Sequence, residues 1–571
     1  MINNSAVNLA GNFSAKINNS LSKHKIIFSL LFSIIASCMC LFHSGYGDID
    51  NHLIAMIVNQ CYGTDNFCIF INYGLCQIIK FINTLLPYAD GYLMICHTLL
   101  FVAVAWISYL ILDNTDKLWC RLLMFASIIV INNGFNVVDL SNQNFTIQAA
   151  AMVAVACVSI SFGLRAKHKA VYIVMSAIFV LFGFMLRFNG ALLCIPFLAL
   201  HLAVDYISNT EKRKYIKNLT IMLFIPIIII LGVYTSNKLI LENDYKDYVN
   251  YNFLRSKITD FKMKSWEEID TKPEGISEND YLIINDYMTA DVERIDKDYL
   301  QTIFDAGANK EQYHKISIKD NVSSIFDIIV HLRKYFVIYL FAISLYALIS
   351  KIGFWRKVEI IFLALGVLAN VVYFNFSARY LYRLCVPAIL MYAVMLSVVL
   401  LIECNNLEKT KVRNGAVLMV TTVTAALLFL TSLISAKAFM PAFLAKSNIN
   451  DGEYAQYCVD DNLYIWDYAI ENTVPFKFYA QQGKLPSQKF LLHNIQQGEY
   501  TIGQAFTDEY FDRIGTKNPI RDLVESDNTF YISKEPQLLE RYLQEHYNAN
   551  ASAVQVDVIA DIPVWQFRNK E

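Results

Sequence analysis

The sequence predicts a polytopic α-helical membrane protein with a C-terminal extracytoplasmic α/β domain. Hydrophobic residues make up 55% of the 571 residues, whereas charged residues make up only 17%. Apolar segments long enough to cross a bilayer recur between residues 26 and 435. The polar C-terminal segment, residues 436–571, is long enough to fold as a separate domain.

About eleven apolar segments have the length and composition of membrane-spanning helices. We place them near residues 26–43, 92–112, 119–136, 144–163, 171–187, 190–207, 218–238, 333–350, 358–375, 384–402 and 414–435. The first follows a basic tail, residues 1–25, and lacks a small-residue cleavage site. We therefore predict that it is retained as a span and is not a signal peptide.

The topology depends on residues 67–86, an apolar segment interrupted by polar residues that include Lys80. If this segment lies on the membrane surface, the later short basic connections all fall on the side of the N-terminus, as the positive-inside rule requires. If it spans, all of them change side. We predict a multi-pass protein of the plasma (inner) membrane with a cytoplasmic N-terminus, an extracytoplasmic C-terminus, and outer loops at 44–91 and 239–332.

The outer regions carry their own secondary-structure patterns. In the first outer loop we predict two surface helices, at residues 51–61 and 67–86. In the C-terminal domain a helical pattern at 534–547 precedes strand patterns at 553–559 and 563–567. This combination is typical of a small α/β domain.

Two carboxylates, Asp48 and Asp50, follow the first span where the chain leaves the membrane. Side chains at i and i+2 of an extended segment project to the same side, so both can face one cavity. Such a pair can hold a divalent cation, Mg²⁺ or Mn²⁺, or supply a catalytic base. The alternative is a solvated acidic turn in which Asp50 caps a helix that starts at Asn51.

Arginines mark the outer ends of later spans. Arg187 lies with Asn189 in the turn of a helical hairpin, where an arginine is costly unless it pairs with an anion or extends to the membrane surface. Arg379 and Arg383 flank Tyr380 at i, i+4 spacing, which would place both arginines on one helix face. Because guanidinium matches phosphate oxygens bidentately, we predict that these residues bind an anionic ligand at the outer leaflet.

Other polar groups carry weaker signals. We interpret the second outer loop as a set of solvated helices. Three of its aspartates are secondary candidates for sugar contacts, namely Asp280, Asp286 and Asp291. Cys61 and Cys68 could form a local disulfide, although separate thiols are the commoner outcome. The sequence contains no zinc-type Cys/His spacing, glycine-rich phosphate loop or nucleophile elbow.

The two aspartates after the first span, the outer loop with surface helices, about a dozen spans and the C-terminal outer domain together resemble the GT-C superfamily of lipid-phosphate-sugar-dependent glycosyltransferases. The turn at residues 185–189 and the segment 275–281 also resemble uncharacterised bacterial membrane proteins grouped with these enzymes. The resemblance implies transfer of a sugar from a polyprenyl-phosphate donor to a cell-envelope glycan or lipid acceptor. It also implies that Asp48 or Asp50 is the base.

Two alternatives stay open. A polysaccharide polymerase or ligase would also use outer arginines on a lipid pyrophosphate. A transporter of lipid-linked glycans would place ionisable groups near the middle of several spans, whereas the predicted spans are largely free of charge. The expected partners are the lipid-linked donor, the acceptor and membrane lipids, with no nucleic acid.

Overall fold

The computed structural model describes residues 15–43, 46, 49–133, 144–259, 263–308, 317–377, 381–407, 411–434, 452–458, 461–467, 476, 479, 484–498, 502–559 and 561–569. Within these ranges, six helices are long and apolar enough to cross a membrane, namely Gly91–Asn114, Phe145–Gly163, Phe188–Ser208, Lys212–Asn243, Phe354–Phe376 and Tyr382–Ile402. Shorter apolar helices are Lys25–Ala36, Leu118–Asn132, Ala170–Leu186, Lys334–Ile349 and Gly415–Leu428. Each of these helices coincides with a span predicted from the sequence.

The remaining helices belong to the connections and the C-terminal domain. They are Ile49–Val58, Tyr73–Leu85, Lys246–Thr259, Glu278–Asn285, Lys297–Gly307, Ile318–His331, Cys404–Leu407, Gln488–His493, Thr507–Ile514, Pro519–Glu525 and Gln537–His546, with 3₁₀ turns at Trp266–Glu268 and Gly452–Cys458. Helical spans and a C-terminal sheet domain together confirm the predicted fold class.

The helix Phe145–Gly163 lies at the centre of the bundle, and every one of its residues is buried. It is rich in alanine, which allows neighbouring helices to approach closely. A side chain added at Gly183 of the neighbouring helix Ala170–Leu186 would lie 2.9 Å from Val153 Cγ2. The two helices run in opposite directions, so the start of one and the end of the other share one end of the bundle.

The segment predicted to be the first outer loop contains the two predicted helices with different bounds. The first starts at Ile49, so the expectation that Asp50 caps a helix beginning at Asn51 is wrong, and Asp50 lies in the first turn instead. The second, Tyr73–Leu85, has 13 residues, fewer than the roughly 20 needed to cross hydrocarbon. It exposes Phe81 and Leu85, as expected of a helix on a membrane surface.

The C-terminal domain contains a five-stranded sheet in the order β2-β1-β3-β5-β4. The strands are β1 Leu463–Trp466, β2 Asn494–Gln496, β3 Thr529–Ile532, β4 Ala551–Ile559 and β5 Ile562–Asn569. Strand β1 pairs in parallel with β2 and β3, whereas β5 is antiparallel to β3 and β4. The helix Gln537–His546 and the β4–β5 hairpin confirm the helix and the two strands predicted here.

The C-terminal domain packs against the first outer loop. The Glu509 carboxylate accepts hydrogen bonds of 2.8 Å from both the amide and the hydroxyl of Thr64. The ring of Tyr62 stacks on Phe506 with centroids 5.4 Å apart, and Arg513 donates to the Tyr62 carbonyl at 2.9 Å. These contacts join the sheet domain to the loop that carries Asp50. Cys61 and Cys68 are buried thiols in this loop and do not form a disulfide.

The C-terminal domain also packs against the second outer loop, through two of the three secondary candidates. Asp280 lies 2.8 Å from His546 Nε2. Buried Asp291 accepts hydrogen bonds from the hydroxyls of Tyr542 and Tyr547, at 2.8 and 2.6 Å. Asp280 and Asp291 therefore connect the second loop, residues 239–332, to the C-terminal domain. Burial, together with the nearby Asp467 carboxylate, raises the pKa of the third candidate, Asp286.

Asp280→Asn is expected to lower the free energy of unfolding of the full chain at pH 7 by about 1–3 kcal/mol. The reason is that the Asp280 carboxylate is buried and accepts hydrogen bonds in its ionised form. Burial alone would raise the pKa of Asp280, but hydrogen bonds from His546 and the Ser277 amide outweigh it and the pKa lies below its usual value. The ionised carboxylate of Asp280 therefore stabilises the folded state at pH values above its unfolded pKa of about 4. This contribution to the free energy of unfolding is lost as the pH falls through the folded pKa.

The measurement is the unfolding temperature of both proteins from pH 7 to 3. We expect the difference between wild type and Asp280→Asn to shrink on the acid side. Asp305→Asn is the matched control, because Asp305 is exposed in the same loop. A constant difference across this pH range would contradict the assignment.

Candidate active site

One end of the helix bundle contains a cavity of 550 Å³, which we call the Asp50 cavity. Its volume is within the usual range for small-molecule sites. Its charged and polar lining residues are Asp50, Thr146, Arg187, Asn189, Tyr373, Ser377 and Arg383. The fold thus brings together four residues that the sequence analysis selected from three separate segments, Asp50, Arg187, Asn189 and Arg383.

The other three selected residues, Asp48, Arg379 and Tyr380, lie outside the described residues. The helix face predicted for Arg379 and Arg383 includes Arg379 and therefore also lies outside the described residues. Within the described part, Leu381 has an extended backbone, with φ −134° and ψ 128°, and the helix that carries Arg383 begins at Tyr382.

The two residues after Asp50 fix its position. Asn51 is buried, and its Oδ1 accepts hydrogen bonds from the Phe145 amide at 2.8 Å and the Tyr92 hydroxyl at 3.2 Å. His52 Nε2 lies 2.8 Å from the Lys484 carbonyl oxygen of the C-terminal domain. Burial lowers the pKa of His52 to about 4, so this imidazole is neutral at physiological pH. Asp50 is therefore held between the central helix and the outer domain.

Asp50 forms an ion pair with Arg383, in which Oδ2 and Nη1 are 2.7 Å apart. The side chains are 16% and 31% exposed, so the pair borders the cavity without being sealed from it. Each residue lies in the first turn of its helix, Ile49–Val58 or Tyr382–Ile402. The positive ends of both helix dipoles therefore add to the arginine charge at this point, which favours an anion.

Arg187 lies at the break between the helices Ala170–Leu186 and Phe188–Leu192, in an extended conformation with φ −158° and ψ 101°. Its Nη1 donates to the Phe70 carbonyl at 3.3 Å. The guanidinium carbon is 5.0 Å from the centre of the Phe145 ring and 5.4 Å from that of Phe70. Two aromatic rings and a carbonyl thus hold this cation in the wall of the cavity. A neighbouring cavity of 380 Å³ shares Arg187.

Sequence reasoning missed three polar lining residues, Thr146, Tyr373 and Ser377. Tyr373 and Ser377 lie at the outer end of the predicted span 358–375, so their position was a usable signal. Their residue types gave no such signal, because hydroxyl side chains are common at the ends of spans.

The described part of the chain does not supply a donor set for the predicted Mg²⁺ or Mn²⁺. It contains no group of three or more His, Cys, Asp or Glu residues that could hold a metal ion. Asp50 is the one carboxylate among the described lining residues, and it already faces a guanidinium. Asp48, the other half of the predicted metal-binding pair, lies outside the described residues.

Comparison with known proteins gives a likeness in shape and none in sequence family. No protein-family model matches the chain. No curated protein matches it either. Among solved structures, the chain is similar to ArnT from Cupriavidus metallidurans, whose crystal structure contains bound undecaprenyl phosphate. The alignment covers 95% of this chain and 97% of ArnT, with a TM-score of 0.47 and 9% identity.

At this identity and TM-score we carry over neither an activity nor a residue role. The fold and the cavity themselves define a multi-pass membrane protein with a carboxylate and two guanidinium groups at one end of its helix bundle.

Proposed function

We propose that the protein is a membrane glycosyltransferase. It moves a sugar from a polyprenyl-phosphate donor to a cell-envelope glycan or lipid acceptor on the outer face of the membrane. The observation that carries the proposal is the meeting of Asp50, Arg187 and Arg383 in one cavity at the end of the spans. A donor whose tail lies in the bilayer presents its phosphate at the membrane surface, where the spans end.

Each of the three groups has a part in the reaction. Arg187 and Arg383 bind the donor phosphate, and Asp50 accepts the proton of the attacking acceptor hydroxyl. The acceptor oxygen bonds to the anomeric carbon as the bond from that carbon to the phosphate oxygen breaks. Polyprenyl phosphate then leaves, and the two arginines stabilise its growing negative charge.

The ion pair between Asp50 and Arg383 suits this sequence of events. In the empty cavity Arg383 neutralises Asp50. A donor phosphate that approaches Arg383 competes for the guanidinium, which releases the carboxylate to accept a proton. Binding of the donor thereby activates the base.

A transporter is less well supported. The buried ionisable residues of the spans include Asp205, Arg356 and Glu359. Arg356 and Glu359 are in the first two turns of Phe354–Phe376, and Asp205 is near the end of Ile195–Ser208. They lie towards one end of the bundle, whereas a transporter binds near the middle.

Incubation of the purified protein with radiolabelled polyprenyl-phosphate sugars and an envelope-lipid and glycan extract tests the proposal. We expect the label to leave one donor pool and appear in a glycan or lipid product, with release of unlabelled polyprenyl phosphate. The same incubation with heat-inactivated protein is the control. Movement of intact labelled donor across the membrane of proteoliposomes, without any product, would favour the transporter instead.

A further inference from the structure

A second polar cleft lies at the opposite end of the bundle, and we call it the Arg356 cleft. It has a volume of 730 Å³. The helix Ala170–Leu186 begins beside it, after the lining residue Lys169, and ends beside the Asp50 cavity, before Arg187. At about 1.5 Å per residue, this helix separates the two sites by roughly 25 Å. The cleft is therefore a separate site.

The floor of the cleft is a buried network of charges. Arg356 pairs with Asp205 and, at 2.6 Å, with Glu359. Arg165 pairs with Asp205 at 2.6 Å, and His201 Nδ1 lies 2.5 Å from Glu359. Glu403 Oε1 lies 4.0 Å from Arg356 Nε, so two arginines face three carboxylates, and the network holds the cleft floor in a fixed arrangement.

The rim of the cleft carries surplus positive charge. Its charged residues are Lys167, Lys169, Lys214 and Glu211. Lys214 pairs with Glu211 at 2.7 Å. Lys169 Nζ donates to the Ala166 carbonyl at 2.8 Å, and neither Lys167 nor Lys169 pairs with a carboxylate in the described part of the chain. The two remaining lysines leave two positive charges at the rim of the cleft.

The helices that border the cleft expose apolar side chains. Val171, Val174, Ile207 and Ile216 are on the helices that border the cleft and are 57%, 55%, 45% and 49% exposed. Such residues at the end of a spanning helix face lipid chains. A ligand with a charged head and an apolar tail would meet both surfaces at once.

We propose that the Arg356 cleft binds a phosphate monoester carried by a membrane lipid. Such a group has a charge of about −1.5 to −2, which matches the surplus of the two lysines. Lys167 and Lys169 contact the phosphate oxygens, and the Arg356 network forms the fixed floor beneath them. This inference does not depend on the proposed sugar transfer, because the two sites share no residue.

The test measures binding of fluorescent phosphatidic acid, in mixed micelles with phosphatidylcholine, to the full chain. We expect Lys167→Gln/Lys169→Gln to weaken this binding about tenfold or more, since each lysine near an anionic lipid contributes about a few-fold. Lys167→Arg/Lys169→Arg should keep it. The matched control is Lys212→Gln/Lys217→Gln, because these lysines are at the same end and do not line the cleft. It should weaken binding clearly less than Lys167→Gln/Lys169→Gln does, because Lys212 and Lys217 add general surface charge without a contact in the cleft.

Equal losses in the two glutamine variants would overturn the proposal, since they would indicate general surface charge. Wild-type affinity in Lys167→Gln/Lys169→Gln would also overturn it. Added inorganic phosphate distinguishes the source of the ligand. Failure of millimolar phosphate to displace the probe supports a lipid headgroup, whereas displacement supports a free phosphate as the occupant of the same site.

Discussion

Asp50→Asn is expected to reduce sugar transfer by a hundredfold or more while the protein still inserts and folds. The substitution keeps the volume of the side chain but removes the charge that accepts the proton, and loss of a general base typically has an effect of about this size. The anchors of this segment, Asn51 on the Phe145 amide and His52 on the Lys484 carbonyl, stay in place. The measurement is the initial rate of label transfer at saturating donor.

Two controls separate loss of the base from loss of the ion pair. Asp65→Asn removes a carboxylate from the same loop outside the Asp50 cavity and should leave the rate unchanged. Asp50→Ala should regain part of its activity with added formate, because a small carboxylate can replace the base but cannot restore the tethered pair with Arg383. Absence of rescue together with a large fall in stability would indicate a structural role.

Asp48→Asn belongs in the same experiment. From the sequence alone, Asp48 is slightly favoured over Asp50 as the base, because Asp50 is also the predicted cap of a helix that starts at Asn51. The helix starts at Ile49, so that reason no longer holds, and the ion pair with Arg383 makes Asp50 the stronger candidate. Full activity in both asparagine variants would contradict the proposed transferase mechanism.

The spans could be predicted from the sequence because hydrocarbon thickness sets the length of an apolar helix. The helices Gly91–Asn114 and Tyr382–Ile402, for example, contain the predicted segments 92–112 and 384–402 almost unchanged. The position of a span end relative to the membrane surface can also be predicted. That is why Arg187 and Arg383, chosen only as charges at span ends, line one cavity.

Pairing between distant segments could not be predicted in the same way. Asp50 and Arg383 were assigned separate roles, since nothing in a single sequence indicates that two helix starts 333 positions apart touch. The buried network of Asp205, Arg356 and Glu359 was missed for the same reason. Arg356 falls in a short polar connection, whereas Asp205 and Glu359 fall near the ends of the predicted spans 190–207 and 358–375. Only the packing of two helices shows that these charges pair with one another.

Arg187→Gln is expected to weaken binding of polyprenyl phosphate by about 2–5 kcal/mol, or roughly thirtyfold or more in Kd. The guanidinium is held between Phe70 and Phe145 and cannot follow a displaced ligand, so a neutral amide leaves the phosphate without its partner. The measurement is the Kd of a fluorescent polyprenyl phosphate in detergent. Arg187→Lys should give an intermediate Kd, because it keeps the charge and loses the planar fork.

Lys238→Gln is the matched control for Arg187→Gln. Lys238 lines the neighbouring cavity of 380 Å³, which shares Arg187, but it does not line the Asp50 cavity. If Arg187 binds the donor phosphate from the Asp50 side, Lys238→Gln keeps wild-type affinity. If both variants weaken binding equally, the phosphate lies in the neighbouring cavity, and Asp50 would be too remote to act on the sugar attached to it. Wild-type affinity in Arg187→Gln would instead make Arg187 a membrane-surface anchor stacked between two rings.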